Sequence, residues 1–393
     1  MQPFKILLYS HDTLGLGHFR RCQSIAKALA ARFENTEICI LTGSSVSDAY
    51  GEVPQTRLVH LPSVAKTPEG NYRAADPAGS FNSVRRQREA IIRAEVAEFD
   101  PDLCIVDKEP LGFLGEMSAS LRMMKERGAM CVLGLRDVLD DAELLQSEWD
   151  KKEIPADLSP LYDQIWVYGP RDFYDPLQGL GLSDSTLGRV IYTGFIDRKV
   201  TAQTPSLLQD HVLVTAGGGG DGFMLMQSVL QAYRRRPSLP GPLLLLLGPF
   251  IASEQRQQID ELAVDIPDCQ IFGFVTEPEA FVQDARLVMG MCGYNTFCET
   301  MIYDKRALFV PRNKPRREQT IRAQRANELG LCSIIDIEEA RDPDVFAAAI
   351  EQALDRDRPA TANYNLDFSG LDVVCEMVED MIHQQEKPRR LAV

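Results

Sequence analysis

The 393 residues exceed one ordinary core and fit two domains of roughly 180 to 200 residues, on the usual expectation of about 100 to 200 per domain. Hydrophobic residues at 45% and charged residues at 25% describe a globular protein, and a net charge of −15 argues against nucleic acid or another polyanion bound over a broad face. Positive charge gathers only locally, at Arg20 and Arg21, Arg85 to Arg88, Arg234 to Arg236 and Arg312 to Arg317. The nine cysteines never form C-x-x-C and lie mostly in apolar runs, so they read as buried thiols in a reducing cytoplasm, neither disulfides nor a zinc site. The start, "MQPFKILLYS", enters a strand pattern directly, and the longest apolar stretch, "PLLLLLGPFIA", is short of the ~20 residues a bilayer span requires. A cytoplasmic protein without a transmembrane segment is expected.

In chain order, "KILLYS" is a strand, a helix follows over about 18 to 33, and "EICILTG" and "RLVHLP" are further strands. Another helix spans about 81 to 98, then "LCIVD", a helix, "MCVLGL" and "IWVYG". Apolar, two-sided strands alternating with amphipathic helices are the mark of a parallel sheet covered on both faces. A polar stretch, "KVTAQTPSLLQD", reads as a linker at about 197 to 210, after which the alternation restarts with "HVLVTAGGGG", "LLLLLG", "CQIFGF", "LVMGMC", "ALFVP" and "CSIID". The fold class is therefore α/β, with two Rossmann-like doubly wound domains facing a central cleft, at 1–196 and 211–365. Residues 366–393 form an amphipathic helix and basic tail that is expected to pack back on the first domain.

Four places carry residues suited to chemistry. The first strand opens into "SHDTLGLGHFRR", where Gly15 and Gly17 permit a tight turn and set His18 at a helix start; an incidental histidine in a Gly-rich turn is an equally good reading. Arg20 replaces the third glycine of G-x-G-x-x-G, which disfavours a dinucleotide fold. Asp107 ends "LCIVD" and is placed either to orient an imidazole or to cap the next helix. In the second domain "TAGGGGDG" offers the backbone of Gly217, Gly218 and Gly219 to a diphosphate, without the Lys-Ser/Thr of a P-loop. "GYNTFCE" has Thr296 and Glu299 at capping-box spacing, with a turn that also suits a phosphate and a carboxylate that suits a sugar hydroxyl. Glu318 and Gln319, opening the helix after "VPRNKPRR", set a carboxylate and an amide side by side, which suits sugar hydroxyls, while each taken singly reads as a solvated helix N-terminus. D-x-D triplets at 100, 342 and 355 do not follow strand ends, so no metal site is expected.

These residues resemble the GT-B glycosyltransferases, and the stretch from "GFVTEPEAFVQDARLVMGMCGYNTFCE" through "ALFVPRNKPRREQTIRAQRANELG" is similar to the peptidoglycan-building muramoylpentapeptide N-acetylglucosaminyltransferases and their bacterial relatives. The resemblance implies that Gly293, Tyr294, Asn295 and Thr296 hold a donor diphosphate, Glu299 the ribose, Glu318 and Gln319 the donor sugar, and Phe274 and Val275 the base edge. It also implies that His18 lies near the acceptor, with Asp107 orienting it as the base. Arg322 stands where that family has Asn. The activity so implied is metal-independent, cofactor-free, inverting transfer from a nucleoside-diphosphate sugar, UDP-linked, to a hydroxyl on a lipid-linked or polysaccharide acceptor, peripheral to the inner face of the membrane. A nucleotide-sugar hydrolase or epimerase, or a noncatalytic nucleotide-binding subunit, are the alternatives.

Overall fold

The computed structural model describes residues 2–11, 16–66, 72–74, 80–197, 209–364 and 366–391; Gly15 and most of the expected linker lie outside them. The chain divides into two compact units, Met1–Ile196 with Asp367–Val393, and Asp197–Leu366.

In the first unit the strands are β1 (Phe4–Tyr9), β2 (Thr36–Thr42), β3 (Thr56–His60), β4 (Val64–Lys66), β5 (Tyr72–Ala74), β6 (Leu103–Asp107), β7 (Met130–Arg136), β8 (Gln164–Tyr168) and β9 (Val190–Tyr192). Seven of them form a sheet in the order β3-β2-β1-β6-β7-β8-β9, with parallel pairing throughout, while β4 and β5 make a separate antiparallel hairpin. The helices α1 (Gly17–Arg32), α2 (Phe81–Phe99), α3 (Ser118–Glu126), α4 (Ala142–Lys151) and the short α5 (Asp184–Leu187) connect these strands. Residues 6 to 9 of β1 and 103 to 106 of β6 are buried without alternation, as a sheet covered on both faces requires. Strand order turns back at β1, whose neighbours are β2 and β6, so the crevice beyond the carboxyl ends of β1 and β6 is this sheet's switch point.

The second unit repeats the scheme with β10 (His211–Thr215), α6 (Phe223–Arg235), β11 (Leu243–Leu246), α7 (Ser253–Ala263), β12 (Cys269–Phe272), α8 (Glu279–Asp284), β13 (Ala285–Gly290), α9 (Tyr294–Ile302), β14 (Arg306–Phe309), α10 (Glu318–Glu328), β15 (Ser333–Ile334) and α11 (Pro343–Asp355). Its all-parallel sheet runs β12-β11-β10-β13-β14-β15, and the switch point falls between β10 and β13. The last helix, α12 (Gly370–Leu391), belongs to the first unit. Gly370 N donates to Phe195 O and Phe195 N to Asp367 O, while Val374, Val378 and Met381 are buried and Arg32 on α1 pairs with Glu379 at 2.9 Å.

All nine cysteines are free thiols, eight buried and Cys269 half-buried. Among the described residues no helix is long and apolar enough to cross a membrane. The basic pair Arg20 and Arg21 is buried, and of the Arg85 to Arg88 cluster Arg88 is buried while Arg85 and Arg86 are exposed; Arg88 forms a two-point ion pair with Glu116, which also accepts from the Tyr9 hydroxyl at 2.7 Å. Of the D-x-D residues, Asp102 accepts from Lys5 N, Asp100 pairs with Arg127, and Asp342 caps α11 by accepting from Asp344 N and Val345 N.

Candidate active site

At the first switch point α1 begins at Gly17 and places His18 in its first turn, while β6 ends on Asp107. The two meet with Nδ1 of His18 2.5 Å from Oδ2 of Asp107. Because a carboxylate oxygen only accepts, Nδ1 must carry the proton, and Nε2 is left with its lone pair. Arg21, one turn further along α1, donates from Nε to Oδ1 and from Nη2 to Oδ2 of Asp107, both at 2.7 Å, and its Nη2 lies 3.0 Å from His18 Nδ1. Burial pushes the His18 imidazole down to about 4; Asp107 pulls the other way, and Arg21 and Lys108 lower it further. Loss of water outweighs the pull of the neighbouring carboxylate.

Next to this pair stands a second histidine that sequence reasoning passed over. His11, just beyond β1, is buried, its ring edge-on to His18 with centroids 5.6 Å apart, and its Nε2 is 4.0 Å from Glu109. Glu109 is gripped by Lys152 at 2.7 Å and Lys108 at 3.2 Å. Burial lowers the His11 pKa well below its usual value, with Lys108 adding to the effect. The signal available in the sequence was position alone, since His11 follows the central strand as Asp107 ends its neighbour.

At the second switch point the loop after β10 is fixed by close backbone contacts. Gly217 and Gly219 have φ of +59° and +89°, and a Cβ on Gly219 would lie 2.2 Å from Leu247 O. Gly219 N donates to Ala216 O and Gly222 N to Gly219 O, and the Gly218 carbonyl accepts from Phe250 N, so these glycines have a packing reason of their own. Asp221 pairs with Arg312 at 3.2 Å rather than capping α6, whose N-cap is Gly222.

The loop after β13 turns at Cys292, with φ +60°, and α9 begins at Tyr294 with Gly293 as N-cap. The first helical bond runs from Phe297 N to Gly293 O, so the N–H groups of Tyr294, Asn295 and Thr296 precede the ladder at the positive end of the helix. This corrects the capping-box reading: Thr296 is the third helical residue and Glu299 lies in the second turn, too far along to cap. Glu299 is 3% exposed. Arg322, fully buried on α10, donates from Nη1 to Cys292 O at 3.0 Å and lies 5.8 Å from the centre of the Tyr294 ring, bracing the turn. Glu318 is buried and accepts from Arg312 Nη2 at 3.1 Å, and Gln319 Oε1 accepts from Arg312 N at 3.3 Å. Phe274 and Val275 are half-buried beyond the end of β12, Val275 packing with the group that includes Leu244 and Val282.

Residues 211–368 match the glycosyltransferase family 28 C-terminal domain. No curated protein matches the chain by sequence. Among solved structures, the glycotransferase of kitacinnamycin is similar at 16% identity and a TM-score of 0.65, covering 97% of this chain and 100% of that one. Acinetobacter baumannii MurG is similar at 13% identity and 0.60, covering 96% and 100%. UGT2 of Phytolacca americana, complexed with UDP-2fluoro-glucose and pterostilbene, is similar at 13% identity and 0.61, covering 96% and 94%. The chain has the fold of the GT-B glycosyltransferases, and its second unit carries a glycosyltransferase domain. Within that class the chain carries the C-terminal domain of glycosyltransferase family 28.

Proposed function

We propose that this chain moves a sugar from a UDP-linked donor to a hydroxyl with inversion at the anomeric carbon, with His18 as the base. The observation that carries this reading is the contact of His18 Nδ1 with Asp107, which leaves Nε2 as a proton acceptor at a sheet switch point. The acceptor oxygen attacks the anomeric carbon from the face opposite the diphosphate, its proton passes to Nε2, and the bond to the diphosphate breaks with UDP departing.

The donor half falls to the second unit. Tyr294, Asn295 and Thr296, behind Gly293, turn their N–H groups toward the diphosphate, and the positive end of α9 takes up the charge that develops on it. Glu299 holds the ribose, Phe274 and Val275 flank the base, and Gly217 to Gly219 line the phosphate side. Glu318 and Gln319, held by Arg312, meet the donor sugar. UDP is the choice favoured by the Phytolacca structure, which binds UDP-2fluoro-glucose. Because helix and backbone carry the leaving-group charge, the step is assigned no cation.

The test is transfer from a panel of UDP-sugars to lipid-linked and polysaccharide acceptors, with and without EDTA. Product of inverted configuration at an unchanged rate in EDTA is expected. Retained configuration, or a rate restored only by magnesium or manganese, overturns the mechanism, and free sugar with UDP in the absence of acceptor converts the reading to a hydrolase.

A further inference from the structure

The structure assigns Arg21 as a positioning residue that holds Asp107 by two bonds and fixes the His18 tautomer, a role resting on His18 as the base. Arg21 is 1% exposed. Its guanidinium matches the Asp107 carboxylate edge to edge, Nε on Oδ1 and Nη2 on Oδ2, and lies 5.7 Å from the centre of the Tyr168 ring. A carboxylate free to rotate could present either oxygen to His18 or turn away. Clamped by a planar fork, it presents Oδ2 to Nδ1 in one orientation.

Charge follows from the same geometry. With His18 neutral, Arg21 and Asp107 cancel; protonating Nε2 would leave the buried trio with an unbalanced positive charge. Every charged neighbour bears on this balance. Asp107 and Lys108 approach from the end of β6, and His11 approaches from the end of β1 with Glu109 and Lys152 behind it. Asp107 alone would favour an imidazolium, and Arg21 offsets part of that influence beside the larger effect of burial. The consequence is a base that stays unprotonated into mildly acidic solution and gives up its captured proton readily.

The experiment follows the ring resonances of His18 in the full chain by NMR, without substrate, assigned among the five histidines with His18→Gln. In the wild type the Nδ1–H tautomer should dominate, with a titration midpoint well below the ordinary imidazole value. Arg21→Gln should raise that midpoint by about one unit or more and mix the tautomers, and Arg21→Lys, which keeps the charge but not the fork, should mix the tautomers with a smaller shift. If Arg21→Gln does not fold, Arg21→Lys carries the test, because losing the fork at constant charge should by itself mix the tautomers. A folded Arg21 variant whose tautomer ratio and midpoint equal the wild type's overturns the proposal. The readout is separate from turnover: if these resonances move as expected while His18→Ala still transfers sugar, the assignment of the base fails and the role of Arg21 as a clamp stands.

Discussion

A Cβ on Gly134 would lie 2.2 Å from the hydroxyl of Tyr168. Gly134 is paired with Asp107 across β6 and β7, and Tyr168 ends β8 with its ring against the Arg21 guanidinium. A glycine in the middle of a buried strand is explained by this crossing: the tyrosine occupies the volume a side chain would need. Gly134→Ala should force Tyr168 aside, cost about 1 to 3 kcal/mol in denaturant unfolding, and lower transfer more than it lowers UDP affinity. Turnover equal to wild type in the folded variant would mean that Tyr168 does not brace the Arg21–Asp107–His18 group.

Arg88 and Glu116 make another buried ion pair in the first unit. Both side chains are fully buried, joined through Nε to Oε2 at 2.8 Å and Nη2 to Oε1 at 2.7 Å. Tyr9 ties the pair to the sheet by donating to Glu116 and accepting from Phe113 N at 2.9 Å. Arg88→Ala strands a carboxylate without water and should cost about 3 to 5 kcal/mol, whereas replacing Arg88 and Glu116 together by apolar residues should be much milder. Urea melts of the single and double variants check this, and an equal loss in both would contradict it.

Most strands were legible because a two-sided parallel sheet writes itself as unbroken apolar runs such as "KILLY" and "LCIVD". The β4–β5 hairpin and β9 were not, since three-residue strands are too short to show a period. Within the candidate site, strand ends were readable and partners were not. His18 and Asp107 stand out by position, but Arg21 and Arg88 look like ordinary charges on amphipathic helices, and only the packing reveals that each is buried against a carboxylate from a distant segment. The capping-box spacing of Thr296 and Glu299 misled because an extended Gly293, with ψ of 155°, starts α9 earlier, and a four-residue pattern carries no information about such a turn.

Acid sensitivity should begin well above the carboxylate range. His18 has a folded-state pKa of about 4 against an ordinary value of 6.5. Between those values the unfolded chain holds more protons at this site, so stability rises with pH across the window and levels off above it. His11, also lowered by burial, acts in the same direction. The depressed carboxyls of Asp107 and Glu109 add stability that is lost only at lower pH, as they protonate. Chemical-denaturation midpoints from pH 4 to 7 should climb for the wild type and climb less for His18→Gln, which cannot take up a proton. Parallel curves for the two would show that His18 is not held neutral by burial.

Glu299 now has a sharper test than its spacing allowed. It lies in the second turn of α9 at 3% exposure, so a change there cannot act through an N-cap. If the carboxylate accepts from the ribose hydroxyls, Glu299→Gln removes charge-assisted bonds worth roughly 1.5 to 3 kcal/mol, and UDP affinity should fall about tenfold or more. Removing one hydroxyl from the ligand separates that loss from a general loosening of the buried helix. Wild type should bind UDP more tightly than 2′-deoxy-UDP, and Glu299→Gln should erase most of the difference, because the partner of the missing hydroxyl has already been weakened. Calorimetry on the two proteins with the two ligands closes the cycle. A preference for UDP that survives unchanged in the variant would remove Glu299 from the ribose and leave it a buried structural carboxylate.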